Sequence, residues 1–271
     1  FWMQGFGASG QWDGDANASG LQRLQAGSLM GVEGMTSGGW LFGLMGGYSQ
    51  SRFDIDERAS SGTIGNYHAG VYGAVDHGAL ALRFGGSLSW HEIETSRTAA
   101  YPGFSNVLTA DYDAASTQVF GEAGYRFNTA TGVAEPFAGL SLVHIHTAGF
   151  SESGGAGSLH ADSNDRQNGF LTLGIRGEGD AILANGMETR LKGSLAWRHA
   201  LGDVTPDAQV SFSGGGGFSV SGLSVERDVA LIDIGAEMKF SPSASLDLGY
   251  RGQIGDASQD HAISAAFSMR F

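Results

Sequence analysis

The stretch HAISAAFSMRF, residues 261–271, alternates apolar side chains with small or polar ones along its whole length. Successive side chains of a β-strand point to opposite faces, so this alternation predicts a strand with one apolar and one polar face. The stretch stops on an aromatic residue, and we expect such a strand to be paired to its end. Its apolar face carries Ile263, Ala265, Phe267, Met269 and Phe271.

The same period of two recurs along the chain, for example in STQVFGEAGYRF (116–127) and LIDIGAEMKF (231–240). No segment shows a helical period. Breaking the chain at its turn signals predicts about twelve strands. They are expected at residues 1–12, 20–36, 39–53, 64–77, 79–93, 113–128, 133–148, 167–183, 187–200, 226–240, 244–256 and 260–271.

The connections between these strands alternate in length. Short turns are expected at 36–39, 76–78, 128–132, 183–186 and 241–244. Longer polar loops are expected at 13–19, 54–63, 94–111, 150–166, 201–225 and 256–259. An even number of strands with short turns at one end and long loops at the other is typical of an antiparallel transmembrane β-barrel. We therefore predict an all-β, membrane-spanning barrel.

The alternative is a water-soluble β-sandwich or barrel, which would bury the apolar face of each strand. Predicted strands of about 12–17 residues exceed the usual length of roughly 5–6 in globular proteins, but they suit a tilted membrane crossing. Aromatic residues also lie near the strand ends, as interfacial girdles do. These residues are Trp2, Trp40, Tyr48, Trp90, Tyr125, Phe127, Trp197, Phe240 and Tyr250.

The charged side chains of the predicted strands share the polar face, with opposite charges spaced along it. A charge that faced the middle of the bilayer would cost about 2–4 kcal/mol, so we expect this face to line a polar lumen. Both faces of the segment 133–148 are mostly apolar, and its alternation does not orient it. The predicted lumen residues are Arg83, Glu122, Arg126, Arg176, Glu178, Arg190, Lys192, Arg198, Asp233, Glu237, Lys239, Asp247, Arg251 and Arg270.

Composition argues against several functions. The formal net charge of -13 makes nucleic acid an improbable partner, because phosphate contacts need Lys and Arg. The absence of cysteine excludes disulfides, thiolate metal sites and cysteine nucleophiles. The sequence contains no apolar run long enough for a transmembrane helix, and no signal peptide is recognisable at Phe1. We expect no cofactor.

Three further sequence patterns favour a structural role over metal binding, phosphate binding or catalysis. His144 and His146 could chelate a metal, but no carboxylate accompanies them locally, so we predict no metal site. The glycine-rich stretch 211–222 lacks the Lys-Ser/Thr pair of a phosphate-binding loop and indicates a surface loop or hairpin. Ser89 and His91 form a Ser/His pair near acidic residues, but without a nucleophile elbow, so we predict no catalytic residue.

Several stretches resemble the C-terminal β-domain of autotransporters, the type V secretion family. They are QVFGEAGYRF (118–127), VAEPFAGLSLV (133–143), LAWRHALGDVTP (195–206) and the last 46 residues, 226–271. The resemblance covers essentially the whole chain. It implies a monomeric twelve-stranded barrel in the outer membrane of a Gram-negative bacterium, which supports secretion and surface anchoring of an N-terminal passenger domain. A stand-alone porin and a barrel hydrolase are the alternative functions.

The resemblance also implies partners for this domain. The implied partners are outer-membrane lipid, the barrel assembly machinery, periplasmic chaperones and the chain's own passenger. The final alternating strand resembles the signal that this machinery recognises, carried by Ile263, Phe267, Met269 and Phe271.

The chain differs from the usual pattern of the family at its start. In this family a helix usually threads the pore before the first strand. Phe1 already reads as strand, so we expect residues 1–271 to be the translocator domain without passenger, linker or pore helix, and no linker-cleaving residue is assigned.

Overall fold

The computed structural model describes residues 1–55, 59–182, 186–212 and 215–270. None of these residues lies in a helix that could cross a membrane. The described strands are β1 (Trp2–Trp12), β2 (Leu21–Met35), β3 (Trp40–Ile55), β4 (Ser60–His77), β5 (Leu80–Tyr101), β6 (Phe104–Tyr125), β7 (Phe127–Thr129), β8 (Gly132–Thr147), β9 (Phe150–Ser151), β10 (Leu159–Ala161), β11 (Asn164–Ile182), β12 (Glu188–Leu201), β13 (Asp207–Phe212), β14 (Gly217–Ser221), β15 (Asp228–Ser241), β16 (Ala244–Ile254) and β17 (Ser258–Met269).

Twelve long antiparallel strands form a closed barrel, as the sequence predicted. They follow in the order β1, β2, β3, β4, β5, β6, β8, β11, β12, β15, β16 and β17, and each pairs with the next. The last strand then pairs with the first, from Trp2 opposite Ser268 to Trp12 opposite Ser258. Closure gives every strand two hydrogen-bonded neighbours, which a strand in lipid requires because no water is present to satisfy a free edge.

Two of the long loops form a small second sheet at the long-loop end of the barrel. Its four strands lie in the order β14, β13, β10 and β9. The sheet is tied to the barrel where Thr109 of β6 bridges Ser153. The stretch 211–222 contributes to its β13–β14 hairpin, although residues 213 and 214 lie outside the described part of the chain.

The largest error in the predicted strand boundaries concerns residues 94–111, which were expected to be a loop. They instead extend a hairpin of two strands of 22 residues each, paired as far as Tyr101 opposite Phe104. Gly103 closes the turn with a positive φ of 85°, a conformation that costs glycine little. The alternation fades in this hairpin because its inner face packs against the loop between β8 and β11. That face carries both the buried Leu108, 1% exposed, and Arg97, which pairs with Glu152 of the loop.

Exposure alternates along the barrel strands and places apolar side chains on the outer surface. Val71 is 57% exposed, Leu195 is 58% exposed and Ile263 is 68% exposed. A continuous exposed apolar surface of this kind marks contact with an apolar environment. The outer surface of the barrel is therefore its lipid face, and the polar side chains point into the lumen.

Exposed aromatic residues lie on the outer surface near both ends of the strands. Tyr48 and Tyr67 pack with ring centroids 5.2 Å apart towards the long-loop end. Trp40 and Phe42 stack at 6.0 Å towards the short-turn end. Trp2 was wrongly expected in this girdle.

Trp2 instead lies on the inner face of β1. Its indole N–H donates to the Tyr72 hydroxyl at 2.7 Å. A Cβ on Gly43 would lie 2.1 Å from the Tyr72 ring, so that strand needs glycine there. Neighbouring Trp2 and Met3 are both apolar, and only the pairing of β1 with β17 decides which of them faces inward.

Candidate functional site

The lumen near the short-turn end holds a lattice of three arginines and two glutamates. Glu135 is 3% exposed and lies at its centre. Arg83 Nη1 lies 2.6 Å from Glu135 Oε1, and Arg126 Nε lies 2.8 Å from Oε2. Glu122 accepts from Arg83 at 3.0 Å and also pairs with Arg176. Burying a carboxylate is costly unless it is paired. This lattice supplies the pairing with Arg83 of β5, Arg176 of β11 and Arg126, which directly follows β6.

A second set of ion pairs lines the neighbouring wall. Lys192 Nζ lies 2.9 Å from Glu237 and 2.8 Å from Asp247. Arg251 Nε lies 2.6 Å from Asp233. Each of these charges therefore has a counter-charge within the wall formed by β12, β15 and β16, which makes the wall polar without a strong local charge.

These two sets enclose a lumenal cavity of about 650 Å³. Arg83, Arg126, Glu178 and Arg251 line it together with other charged side chains. The strands that close the barrel, β17 and β1, contribute uncharged residues to the remaining wall, next to Gly249 of β16. These include Gln4, Ala262 and Ser264.

Midway along β2 to β6 the lumen wall carries neutral polar side chains instead of charged ones. A hydrogen-bonded ladder crosses five adjacent strands, from β2 to β6, on the inner face. It consists of Gln25, Ser49, Asn66, His68, Ser89, His91 and Ser116.

Comparison with known proteins identifies the family. The family model described as "Autotransporter beta-domain" matches residues 1–251. The chain belongs to the autotransporter family. The resemblance inferred from the sequence is thus confirmed, and the autotransporter β-domain is an outer-membrane barrel of a Gram-negative bacterium.

Relatives and solved structures agree with this assignment. Two proteins of Serratia marcescens, each named "Extracellular serine protease", are 33% and 32% identical over all of this β-domain. The chain spans 26% of the length of each relative. The translocator domain of the autotransporter NalP from Neisseria meningitidis has a TM-score of 0.81 at 14% identity, covering 100% of this chain and 87% of that one. The β-domain of the Bordetella autotransporter BrkA has a TM-score of 0.71 at 20% identity, covering 100% and 98%. At these identities both structures show the fold.

The remaining predicted lumen residues of the β-domain occupy varied positions. Arg190 Nε lies 2.9 Å from Asp180 near the short-turn end of the lumen. Arg198 donates to Gln253 at 2.7 Å and lies over the Phe170 ring at 5.1 Å. Lys239 is exposed on the inner face near the end of β15. Arg270 follows the last residue of β17, is exposed, and donates its backbone N–H to Ser243 O at 2.8 Å.

The predicted terminal signal lies on the lipid face as far as the chain is described. Ile263 is 68%, Phe267 is 41% and Met269 is 38% exposed, all pointing outward from β17. Phe271 lies outside the described residues. The backbone pairing continues to Met269, whose N–H donates to Phe1 O at 2.8 Å.

Sequence reasoning missed Glu135, the most enclosed charge of the lattice. It lies in the segment 133–148, whose alternation was not decisive. The structure orients that segment: Glu135 and Phe137 face the lumen, whereas Leu140 and Leu142 face lipid. Glu135 is the only charged residue of β8, and the cost of a charge in lipid was the signal that could have oriented the strand.

The structure gives the two histidine-containing pairs singled out in the sequence other side-chain neighbours than the sequence suggested. His144 and His146 do have a carboxylate neighbour, because Asp165 Oδ1 lies 3.3 Å and 3.0 Å from them on the outer face. No group of three or more potential metal ligands within the described ranges has the geometry to hold an ion. Ser89 contacts His68 at 2.8 Å, whereas His91 contacts Ser116 and Asn66.

Proposed function

We propose that this β-domain anchors an N-terminal passenger at the cell surface and supports its secretion through or alongside the lumen. Family membership and the closed barrel carry the proposal. The lumen adds a physical reason, because its charges are compensated by counter-charges from the adjacent or the next-but-one strand along the wall. A hydrated polypeptide can pass such a wall without meeting a large uncompensated charge. A stand-alone porin would use the same lumen but is not favoured by the family.

We further propose that residues 1–271 act as one translocator domain and as a monomer. Its partners are outer-membrane lipid, the passenger, periplasmic chaperones and the barrel assembly machinery. The assembly machinery would read Ile263, Phe267, Met269 and Phe271 while β17 is still unpaired. The transport step itself uses no catalytic residue of the wall, because threading a chain through a lumen breaks no bond.

Secretion can be tested by attaching a signal peptide and an epitope-tagged, unstructured reporter before Phe1. The reporter should become accessible to external protease on intact cells, while the barrel is found in the outer-membrane fraction. The control is the same reporter without the β-domain, which should stay in the periplasm. A reporter that stays protected behind a correctly inserted barrel would contradict the proposal and favour the porin alternative.

A further inference from the structure

The hydrogen-bond pattern of Asn66 determines the tautomer of His91. Asn66 Nδ2 donates to the backbone oxygens of Ser49 at 3.2 Å and Ile64 at 3.3 Å. Backbone carbonyls only accept, so the other amide atom, Oδ1, must face His91 Nδ1, at 2.7 Å. An amide oxygen also only accepts, and His91 therefore carries its proton on Nδ1.

This tautomer leaves His91 Nε2 as an acceptor, and the side chain it faces is Ser116. Ser116 Oγ lies 2.9 Å from Nε2, within the reach required of a nucleophile and its base. Asn66 is 6% exposed, and its amide nitrogen donates to Ser49 and Ile64. The amide is therefore held in place, and its oxygen orients the imidazole of His91. A nucleophilic relay consists of a hydroxyl, an imidazole that accepts the proton of that hydroxyl, and a third group that orients the imidazole.

A second hydroxyl lies beside Ser116. Ser89 is its direct cross-strand partner in the β5–β6 pairing. Ser89 Oγ lies 2.8 Å from His68 Nδ1. In the His68 tautomer that is protonated at Nδ1, Ser89 accepts this hydrogen bond and keeps its own hydroxyl hydrogen to donate beside Ser116.

We propose that the lumen carries a serine acyl-transfer site, separate from passenger translocation. Ser116 is the nucleophile, His91 is the general base, Asn66 positions His91, and Ser89 donates to the developing oxyanion. The substrate class is a carboxylic ester that enters the polar lumen from the long-loop end. The site lies at the height of the outer aromatic girdle, because Tyr67 and Trp90 are the chain neighbours of Asn66 and His91 on the opposite face.

The reaction balances with water as the second reactant. Ser116 Oγ attacks the ester carbonyl carbon and its proton passes to His91 Nε2. The bond to the alcohol oxygen then breaks, and the departing alkoxide takes that proton from Nε2, leaving the acyl group on Ser116. Water next attacks the acyl carbon and gives a proton to Nε2. The acid leaves, and Ser116 Oγ takes the proton back.

The test uses the whole barrel in detergent micelles, with a fluorophosphonate carrying a fluorophore as the probe. Peptide mapping of the labelled wild-type protein should place the adduct on Ser116. Ser116→Ala should abolish labelling, and His91→Gln should slow it by about 100-fold, the usual contribution of a general base. Asn66→Ala should also slow labelling and should change the pH dependence of the labelling rate, because His91 can then change its tautomer and rotate. A changed pH profile distinguishes a positioning role for Asn66 from a merely structural one.

Matched controls remove similar side chains outside the relay. Thr117→Ala takes away the next hydroxyl along β6, on the exposed outer face, and His144→Gln removes an exposed outer imidazole. Both should label at the wild-type rate. The heat-dependent electrophoretic shift of folded barrels shows whether each variant is folded. Absence of an adduct on wild-type Ser116, or an adduct elsewhere, would overturn the proposal whatever the variants do, and would leave the ladder as a structural network.

Discussion

Replacing Glu135 by Gln removes the carboxylate at the centre of the arginine lattice while keeping the shape of the side chain. Glu135 accepts from Arg83 through both oxygens, at 2.6 Å and 3.2 Å, and from Arg126 at 2.8 Å. Arg176 Nε lies 3.4 Å away. The substitution would leave three guanidinium groups close together, with Glu122 between Arg83 and Arg176 and with Asp76 at 2.6 Å from Arg126 as their remaining counter-charges.

The structure sets the size of the effect. Removing one partner of a buried ion pair costs about 3–5 kcal/mol, because the remaining charge is left uncompensated. The Glu135 side chain is 4% exposed, but those of Arg83, Arg126 and Arg176 are 28%, 37% and 31% exposed towards the lumen. Water can therefore reach the arginines and screen part of their repulsion. We expect a loss of unfolding free energy near the lower limit, about 3 kcal/mol.

Urea unfolding in detergent micelles, followed by tryptophan fluorescence and by electrophoretic mobility, measures this loss. Asp180→Asn is the matched control, because it also breaks an arginine–carboxylate pair of the lumen, but one whose carboxylate is 76% exposed. Exposed pairs contribute little, so this variant should unfold with the wild type. A double-mutant cycle with Arg83→Met isolates the coupling between Arg83 and Glu135. The reasoning fails if Glu135→Gln and Asp180→Asn unfold at the same urea concentration.

Three further outcomes follow from the fold. Deleting Phe271, or replacing Phe267 and Phe271 by Ser, should strand the protein in the periplasm yet allow refolding in detergent, since losing one such side chain costs only about 1–2 kcal/mol. Replacing the inward Ser268 by Thr is the control. Normal outer-membrane levels without Phe271 would exclude the predicted assembly signal. Residues 1–271 should show ion-permeable openings in planar bilayers, because the lumen is polar, and a persistently closed barrel would contradict this. Glu152→Gln should make the loop between β8 and β11 more sensitive to protease, because Glu152 accepts two 2.6 Å hydrogen bonds from Arg97 of β5; unchanged cleavage would show that the pair does not hold the loop.

Local patterning was enough to predict the barrel. In β15, Asp233, Glu237 and Lys239 share one face, and the apolar side chains share the other. That period of two is a property of the strand itself and survives in any register. Together with the alternating connection lengths it predicts strand number and the inside and outside of most strands. It failed in the hairpin of residues 94–111, because the inner face of this hairpin packs against a loop and carries both a charged residue, Arg97, and a buried apolar residue, Leu108.

The sequence by itself determined the strand period, the polar lumen and the family. Only the tertiary structure decided which polar groups meet. Arg83 and Glu135 are brought together from strands that are separated by a third, β6. Asn66, His91 and Ser116 come from three successive strands, and Ser89 joins His68 rather than the nearby His91. Pairing partners depend on the register between strands and on closure of the barrel, and both are set by the sum of many backbone hydrogen bonds, which no local stretch of sequence contains.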